Sequence, residues 1–216
     1  MQQVYFTLPD GTFLRPCEDL GMYVKALEID PPKPRTRYVE LAGRDGALDM
    51  SEWSGAVRYG PREVRITLRD MQGGYPLLNR ALCGRRARIL LSDDPEWHFS
   101  GRCGEILPQN RSCGVTDVRC SFSCDPYRLK NHDTVVRLTT SQPETNLVLT
   151  AVRKPALPVF TADADCQITW GGNTSSHPAA SSPFRVPGLV LTGSPQTVTV
   201  TGTGVGMTVR WRDGDL

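Results

Sequence analysis

The clearest pattern in this sequence is the stretch Val115-Thr-Asp-Val-Arg-Cys-Ser-Phe-Ser-Cys124. From Thr116 onward, every second position faces one way with an apolar, thiol or methyl-bearing side chain, and charged or hydroxyl side chains lie between them. A period of two is typical of a β-strand with one buried face, and Asp125-Pro126 is a turn signal that ends it. We therefore predict a strand over residues 115–124.

Similar alternation occurs on the N-terminal side of this strand. It recurs at Arg62–Arg69, at Ala87–Leu91, and at Val4–Leu8, where Pro9-Asp10-Gly11 leads into Thr12–Leu14 as in a hairpin. Trp97–Arg102 and Gly104–Leu107 predict a further pair of strands. The 20 Gly and 17 Pro among 216 residues favour a turn-rich, mostly β protein over a helical bundle.

Two segments carry helical features. Pro76–Cys83 begins with a proline, which suits the first helical turn, and Gly84 follows where a helix would end, so we predict a short helix there. In Asp19–Ile29 the apolar residues are close to helical spacing, but the segment also reads as a strand that continues toward the prolines after Ile29. The sequence leaves both interpretations of Asp19–Ile29 open.

A proline-rich segment follows at Asp30–Arg35, with prolines at three of four positions. This composition imposes a stiff, extended backbone that lacks several N–H donors. Arg37–Tyr59 then alternates weakly around a Gly43-Arg-Asp-Gly46 turn. The pattern is typical of an arm projecting from a domain over about residues 30–60, and an ordinary surface loop would show the same pattern.

The composition changes after Arg128, where Thr, Ser, Gly and Val increase and charge thins. Seven short β runs follow, and such runs separated by turn signals predict a small β-sandwich. They are Thr134–Leu138, Leu147–Val152, Pro158–Thr161, Cys166–Trp170, Leu189–Thr192, Thr197–Thr201 and Met207–Trp211. We place the boundary near Leu129–Asp133, which gives domains 1–128 and 129–216.

Charge and hydropathy argue against several functions. Residues 1–128 carry 18 Lys and Arg against 17 Asp and Glu, and residues 129–216 carry 7 against 6, so neither domain has the basic excess of a nucleic-acid-binding protein. No apolar run approaches the roughly 18 residues of a membrane span. The N-terminus lacks the features of a signal peptide. We expect a soluble chain that stays in the cytoplasm where it is made.

The seven cysteines do not form a recognisable metal or disulfide motif. None is spaced as in the C-x2-C knuckle of a zinc site. Cys120 and Cys124 are four residues apart in the predicted strand, roughly 13 Å between Cα atoms, which is too far for a disulfide. We interpret them as buried, reduced thiols.

Other candidate chemistry is equally weak. His98 lies between Trp97 and Phe99 in a predicted strand, where a structural imidazole is expected. Asp163 and Asp165 lack the further oxygen ligands of a calcium loop, and Gly202-x-Gly204-x-Gly206 is typical of a turn between strands. We predict no enzyme, no cofactor and no metal.

Six motifs occur in a fixed order along the chain: Asp19-Leu-Gly21, Pro32-Lys-Pro-Arg35, Tyr38–Asp49, Tyr59 with Arg62, Cys120–Tyr127 and Arg210–Leu216. In this order they resemble the distal tail proteins of siphovirus-type bacteriophages, which have long, non-contractile tails. The resemblance covers Asp19 to Tyr127 well and the second domain loosely.

The resemblance implies a virion structural protein, the baseplate hub at the tip of the tail. It implies an N-terminal β-sandwich with a short helix and an arm that clasps the neighbouring copy, and a C-terminal galectin-like sandwich that points outward. Six copies would form a homohexameric ring, single or two stacked, that continues the tail tube. The implied partners are the tail tube protein, a tail-tip or tail-associated protein, and receptor-binding proteins for host adsorption. The implied location is the tail tip, after assembly in the host bacterial cytoplasm.

A closed ring needs two different patches on each copy. We expect the interface between subunits to include Arg44, Asp45, Asp49, Tyr59, Arg65 and Arg69. As a specific hypothesis, Arg44 and Asp45 pair across the contact between neighbouring copies.

Two other functions stay open on the sequence alone. A carbohydrate-binding module would use Trp170, Trp211 or Phe184 as a stacking platform, although both tryptophans end alternating strands as core residues do. A cysteine hydrolase would use Cys103 with His98 and Asp94, and would carry an unusually reactive thiol.

Overall fold

A computed structural model describes residues 2–43, 45–53, 56–112, 114–179 and 183–216. The chain divides into two compact units, Met1–Arg128 and Leu129–Leu216. Antiparallel strands dominate both units, so the prediction of a mostly β protein is confirmed. The strand β10 (Arg128–Lys130) lies where the first unit ends and the second begins.

The first unit contains nine strands and two short helices among its described residues. In chain order they are β1 (Val4–Thr7), β2 (Phe13–Leu14), α1 (Pro16–Leu20), β3 (Met22–Ile29), β4 (Tyr38–Glu40), β5 (Ala47–Asp49), β6 (Arg62–Asp70), α2 (Tyr75–Leu82), β7 (Arg86–Leu91), β8 (Asp94–Ser112) and β9 (Val115–Cys124), followed by β10. The predicted hairpin at the N-terminus, the strand over residues 115–124 and the helix after Pro76 are all present.

One antiparallel sheet, in the order β2-β1-β7-β8-β9-β6-β3, forms the body of this unit. β9 lies inside it and pairs with β6 from Arg62 opposite Cys124 to Asp70 opposite Thr116. The alternate residues of both strands are buried in one cluster, which contains Val64, Ile66, Leu68, Val118, Cys120, Phe122 and Cys124. The period-two pattern of the sequence therefore marks the core-facing side of the sheet.

The sheet curls over its own core. The rings of Phe6 on β1 and Phe122 on β9 stack with centroids 5.5 Å apart, although two strands lie between β1 and β9 in the sheet. Adjacent strands are about 4.8 Å apart, so a flat sheet would hold these residues about 14 Å apart. Two irregularities in the pairing of β8 with β9, at Cys103/Ile106 and at Pro108/Arg111, give the long strand its bend. The result is the expected sandwich-like unit.

One buried carboxylate organises the turn into α2. Asp70 is 3% exposed, and its carboxylate accepts four consecutive backbone N–H groups, those of residues 72–75, at 2.8–3.1 Å. Burial alone would raise the pKa of Asp70, but these hydrogen bonds outweigh it and hold the pKa below its ordinary value of 3.8. The turn directs Leu78 and Leu82 of α2 into the core.

The helical interpretation of Asp19–Ile29 is wrong for most of the segment. α1 ends at Leu20 because Gly21 adopts the left-handed conformation, with φ of 64°, and β3 follows. A bulge in β3 at Lys25 interrupts its pairing with β6 between Val24 and Ala26. Trp97–Arg102 and Gly104–Leu107 also differ from the prediction: they belong to one strand, β8, because a bulge takes up Gly104 where a turn was expected.

The second unit is a sandwich of two antiparallel sheets, as predicted. Its strands are β11 (Thr134–Thr139), β12 (Glu144–Leu149), β13 (Val159–Ala162), β14 (Cys166–Trp170), β15 (Asn173–His177), β16 (Gln196–Thr201), β17 (Gly206–Trp211) and β18 (Gly214–Asp215). One sheet has the order β11-β17-β13 and the other β12-β16-β14-β15. Phe160 and Val209 of the first sheet share a core with Ile168 and Val200 of the second.

The sequence missed one strand of this unit, and one predicted strand does not form a ladder. Residues 173–177, where no strand was predicted, form β15 and pair with β14 along its whole length. Leu189–Thr192, expected as a strand, forms only an isolated bridge from Leu191 to Ala156. The proline and glycine at 187 and 188 leave too short a run for a ladder.

The C-terminal motif closes the second unit. Asp213 is 3% exposed and accepts hydrogen bonds from the indole N–H of Trp211 at 2.9 Å, the hydroxyl of Thr134 at 2.5 Å and the backbone N–H of Val152 at 3.2 Å. Three segments that are distant in sequence therefore meet at one carboxylate. The motif has a structural role within the unit.

Candidate assembly surface

β4 and β5 form a hairpin that pairs with no other strand in the described part of the chain. Its three residue pairs run from Tyr38 opposite Asp49 to Glu40 opposite Ala47. Gly43 and Gly46 adopt φ of 81° and 77°, conformations that glycine allows at low cost, and the exposed Asp45 lies between them. Arg44, the partner proposed for Asp45, lies outside the described residues. This hairpin is the arm expected over about residues 30–60.

The base of the arm is fixed to the body by backbone hydrogen bonds and one aromatic contact. Arg35 N–H donates to the carbonyl of Arg58 at 2.7 Å, and Gly60 N–H donates to the carbonyl of Lys33 at 2.8 Å. The ring of Tyr59 meets that of Tyr127 edge-on. Tyr59 thus lies where the arm begins and is half-buried within its own chain.

Asp49 ends the second strand of the arm. Its carboxylate accepts the backbone N–H of Ser51 at 2.9 Å and the Ser51 hydroxyl. These two hydrogen bonds lower the pKa of Asp49, with the hydroxyl making the larger contribution. The side chain therefore stays ionised and shapes the turn that follows β5, in addition to any contact with a neighbouring copy.

The arm exposes large apolar side chains that its own chain leaves uncovered. Trp53 is 70% exposed, Tyr38 61% and Leu41 46%. Scattered exposed apolar residues are common on protein surfaces, but here three lie close together in sequence: Tyr38 in β4, Leu41 in the turn and Trp53 just after β5. This clustering makes the arm a candidate contact surface. Sequence reasoning missed Trp53; the signal was a single tryptophan in the polar stretch Ser51–Ser54.

Arg65, on the outer face of β6, is surrounded by carboxylates of its own chain. It pairs with Glu63, with Asp30 at 3.0 Å and with Glu28 at 3.6 Å. The hydrogen bond that Arg65 donates to Glu63 and, after it, the neighbouring carboxylates raise the pKa of Arg65. A residue of another subunit that bound this guanidinium would have to share it with the three carboxylates that already pair with it.

Arg69 is similarly engaged within the chain. Its Nε donates to Asp117 at 3.1 Å, and the same carboxylate accepts the Lys25 ammonium at 2.5 Å. The two cations lower the pKa of Asp117, and Lys25 makes the larger contribution. The proposed interface residues thus fall in three places: Asp45 and Asp49 on the arm, Tyr59 at its base, and Arg65 and Arg69 on the outer face of β6.

A second basic surface, not anticipated from the sequence, lies on β7 and β8. Arg86, Arg88 and Arg102 are exposed on the same face, since Arg86 lies opposite Arg102 in the ladder. A groove of about 400 Å³ runs beside them, lined by Thr7, Leu8, Pro9 and Gly11 of the first hairpin, by residues 86–88 and by Ser100. The alternation Arg86-Ala-Arg88 was the available signal.

The cysteine candidates are buried thiols, as expected, and none of the buried ones is activated. Burial raises the pKa of Cys103 to about 12 and that of Cys124 to about 12, and it raises that of Cys120 still further. Cys113 lies outside the described residues. Because a nucleophilic cysteine needs a thiolate near neutral pH, the raised pKa of Cys103 argues against it as the nucleophile of a hydrolase.

The aromatic residues considered for sugar stacking are packed inside the second unit. Trp211 is 6% exposed, and the half-buried Trp170 donates its indole N–H to Gln196 at 3.3 Å. Phe184 is stacked on His177, with ring centroids 3.8 Å apart, and also on Phe160 at 5.9 Å. Trp211 is part of the core, Trp170 packs against it and Phe184 has aromatic partners, so these rings contribute to the packing of the second unit.

Asp163 and Asp165 are engaged with the backbone. Asp163 accepts the N–H of Gly206 at 2.7 Å, and Asp165 accepts that of Ala179 at 2.5 Å. Over the described residues, no group of three or more His, Cys, Asp or Glu side chains is placed to hold a metal ion. Neither described helix has the length and apolar composition needed to cross a bilayer.

The fold of this chain, an antiparallel unit with an arm followed by a small sandwich, is similar to that of a solved bacteriophage protein. One solved structure with this fold is that of SPP1 Dit (gp 19.1), described as a paradigm of the hub adsorption apparatus in phages that infect Gram-positive bacteria. The likeness covers 100% of both chains at a TM-score of 0.69 and 14% sequence identity. The resemblance to distal tail proteins is thereby confirmed at the level of the fold.

A second solved structure, that of the phage p2 baseplate in its activated conformation with strontium, matches at a TM-score of 0.47 and 4% identity over 97% of this chain and 98% of that one. A TM-score this low supports no inference. No family model matches the sequence, and no curated protein matches it.

Proposed function

We propose that this chain is a distal tail protein of a siphovirus-type phage, a baseplate hub that forms a homohexameric ring. The ring joins the tail tube to the tail tip and to the host-adsorption apparatus. The protein acts as a structural component of the virion and not as an enzyme.

The observation that carries this proposal is the full-length likeness to SPP1 Dit. It covers 100% of both chains, so it includes the body, the arm and the second unit together. A likeness limited to one sandwich would carry little functional information, because sandwiches serve many unrelated functions. The combination of two units with a projecting arm is a much narrower architecture.

The arm supports assembly into a ring. It exposes Trp53 and Tyr38 on a hairpin that is too small to be stable alone in water. An arm on one copy that binds a different patch on the next makes a head-to-tail contact, and such contacts close into rings when the rotation between copies allows it. The interface residues proposed from the sequence remain part of this proposal, with Asp45 at the tip of the arm.

The remaining assignments follow from the hub role. The ring, single or doubled, binds the tail tube protein on one side and a tail-tip or tail-associated protein on the other. The second unit supports receptor-binding proteins. The protein resides at the tail tip of the virion after assembly in the host bacterial cytoplasm.

The proposal is tested by the native mass of the purified chain, measured by light scattering, and by negative-stain images of the same fraction. We expect six times the 23.9 kDa of one chain and rings with an open lumen. A chain that stays monomeric at high concentration, and that is also absent from purified virions by mass spectrometry, contradicts the hub role.

A further inference from the structure

We propose that the groove beside β7 is the acceptor for the acidic arm of a second copy of this chain. The proposal concerns the groove defined above, between the first hairpin and the arginines of β7 and β8. It rests on the proposed ring and names the surface that closes it.

The groove is strongly basic. The side chain of Arg88, which lines the groove, makes no hydrogen bond or ion pair with any residue in the described ranges. Arg86, which also lines it, pairs with Asp125 and contacts Ser100, but more than half of its side chain stays exposed. Two more arginines lie near the groove without lining it. Arg85, just before β7, reaches Asp10 in the turn of the first hairpin at 3.8 Å, and Arg102 donates to the carbonyl of Gly84 at 2.6 Å. Among the described residues, these four arginines have only two carboxylate partners, Asp125 and Asp10.

Over residues 30–60 the arm has five acidic and five basic residues, but the cations lie mostly near its base and its outer part carries the opposite charge to the groove. Residues 38–53, the outer part, contain four acidic residues and one basic residue, a net charge of −3. They are Glu40, Asp45, Asp49 and Glu52, with Arg44 as the only cation. Glu40 and Glu52 are exposed and make no ion pair with any described residue. Opposite charge on two surfaces of one chain favours contact between copies and opposes arm-to-arm or groove-to-groove contact.

The arm also needs a surface to cover it. Its two strands pair only with each other among the described strands, and a lone hairpin is at best marginally stable in water. Trp53 and Tyr38 stay exposed on it. Of the apolar residues that line the groove, Pro9 is exposed, whereas Leu8 and Ala87 belong to the core. Pro9 and the methylene stems of Arg86 and Arg88 can cover an aromatic side chain, while the guanidinium groups pair the acidic residues beside it.

Two charge-reversed variants test the contact. The groove variant combines Arg85→Glu with Arg88→Glu, and the arm variant combines Glu40→Lys with Glu52→Lys. These four side chains have at most one weak ion pair within the chain, so the fold is retained, which circular dichroism and thermal melting check. The matched control is Arg137→Glu with Arg153→Glu, two exposed arginines of the second unit with no described partner.

We expect each variant alone to lose the ring and run as a monomer, while the control keeps the mass of the wild type. Mixing the two variants in equal amounts should restore the ring, because an intact arm then meets an intact groove, and a reversed arm meets a reversed groove, alternately around six copies. Raising the salt concentration should weaken the wild-type ring, since exposed ion pairs are screened.

The outcomes distinguish a failure of the groove proposal from a failure of the proposed ring. If the wild type and the groove variant both form rings but the arm variant does not, the groove is not the acceptor of the arm. The proposed ring then still stands, and the groove is assigned to a partner outside this chain. Loss of the ring in both variants without rescue on mixing also overturns it, because the two surfaces then do not meet. A wild-type chain that never forms a ring contradicts the proposed assembly and the acceptor together.

Discussion

Tyr59 meets Tyr127 edge-on, with ring centroids 6.1 Å apart and ring planes at 80°. Tyr127 follows the last strand of the sheet, and Tyr59 forms an isolated bridge with Pro34 at the root of the arm. An aromatic pair of this geometry contributes about 0.5–1.5 kcal/mol beyond the area it buries. The contact therefore fixes the direction in which the arm leaves the body.

Replacing this tyrosine should loosen the arm without unfolding the body. In Tyr59→Ala we expect proteolysis within residues 35–58 to become several-fold faster and ring assembly to weaken. Tyr59→Phe keeps the aromatic contact with Tyr127 and should behave as the wild type. Limited proteolysis followed by mass spectrometry measures both. Equal cleavage of Tyr59→Ala and the wild type would show that the backbone bridge alone holds the arm.

A charge swap tests the pair proposed from the sequence, Arg44 of one copy with Asp45 of the next, which is an arm-to-arm contact and therefore the alternative to the groove. If the arms meet in this way, Arg44→Asp alone and Asp45→Arg alone should each reduce ring assembly, because each puts two like charges next to each other at the contact. The double swap should restore assembly in part, since the pair is then re-formed in the opposite sense. Light scattering measures the ring fraction. Single variants that assemble as the wild type would show that this pair lies outside the contact.

Asp70 should contribute stability that depends on pH. Its pKa is lowered in the folded state, so its contribution is complete above the unfolded pKa of about 4 and is lost as the pH falls through the folded value. Asp70→Asn removes the charge that the four N–H groups bind and should cost about 1–3 kcal/mol at pH 7. Urea unfolding of both chains at pH 7 and pH 3 measures this. The difference between them should shrink at pH 3.

Two glycines of β8 should respond very differently to alanine. A Cβ on Gly101 would lie 2.7 Å from the Ser123 carbonyl oxygen and 2.5 Å from the Cys124 sulfur, whereas a Cβ on Gly104 would meet nothing nearer than 3.8 Å. Gly101→Ala should therefore cost about 1–3 kcal/mol, as overpacking of a core does. Gly104→Ala, in the same strand, should cost much less. Thermal melting compares them, and equal melting temperatures would contradict the close packing.

The thiols should react in an order set by burial. Cys83 is exposed, whereas Cys103, Cys120 and Cys124 are buried with raised pKa values and are protonated at pH 7. Under mild alkylation we expect Cys83 to be labelled first, and the three buried thiols only after unfolding. Peptide mass spectrometry assigns the sites. Rapid labelling of Cys103 in the folded chain would revive the hydrolase hypothesis.

The sequence predicted the strands whose two faces differ in polarity. Val64, Ile66 and Leu68 on β6, and the alternating residues of β9, lie where their period of two indicated. β15 was missed because its residues, Asn173 to His177, are all polar, so the sequence shows no alternation between apolar and polar side chains there. β3 was ambiguous for a physical reason: the bulge at Lys25 puts Val24 and Leu27 on the same face three residues apart, which is also helical spacing.

Only those features of the candidate assembly surface that depend on residues close together in sequence could be predicted. The prolines, the paired glycines and the charged turn marked the arm, because these residues act on their own backbone. The groove was not predictable, because it depends on β1 pairing with β7 across eighty residues of chain, which places Leu8 and Pro9 beside Arg86 and Arg88. Likewise, no local pattern showed that Arg65 already pairs with Glu28 and Asp30.

The bulge at Lys25 affects the exposed edge of the sheet, where another chain can add as a further strand. β3 is the outermost strand at one end of the sheet, and a straight outer strand is a template on which other chains can add strand by strand into aggregates. Here the bulge breaks the regular row of backbone donors and acceptors, and the charge of Lys25 sits at the break, held by Asp117. The bulge and the charge of Lys25 therefore make this edge of the sheet a poor template for the addition of a strand from another chain.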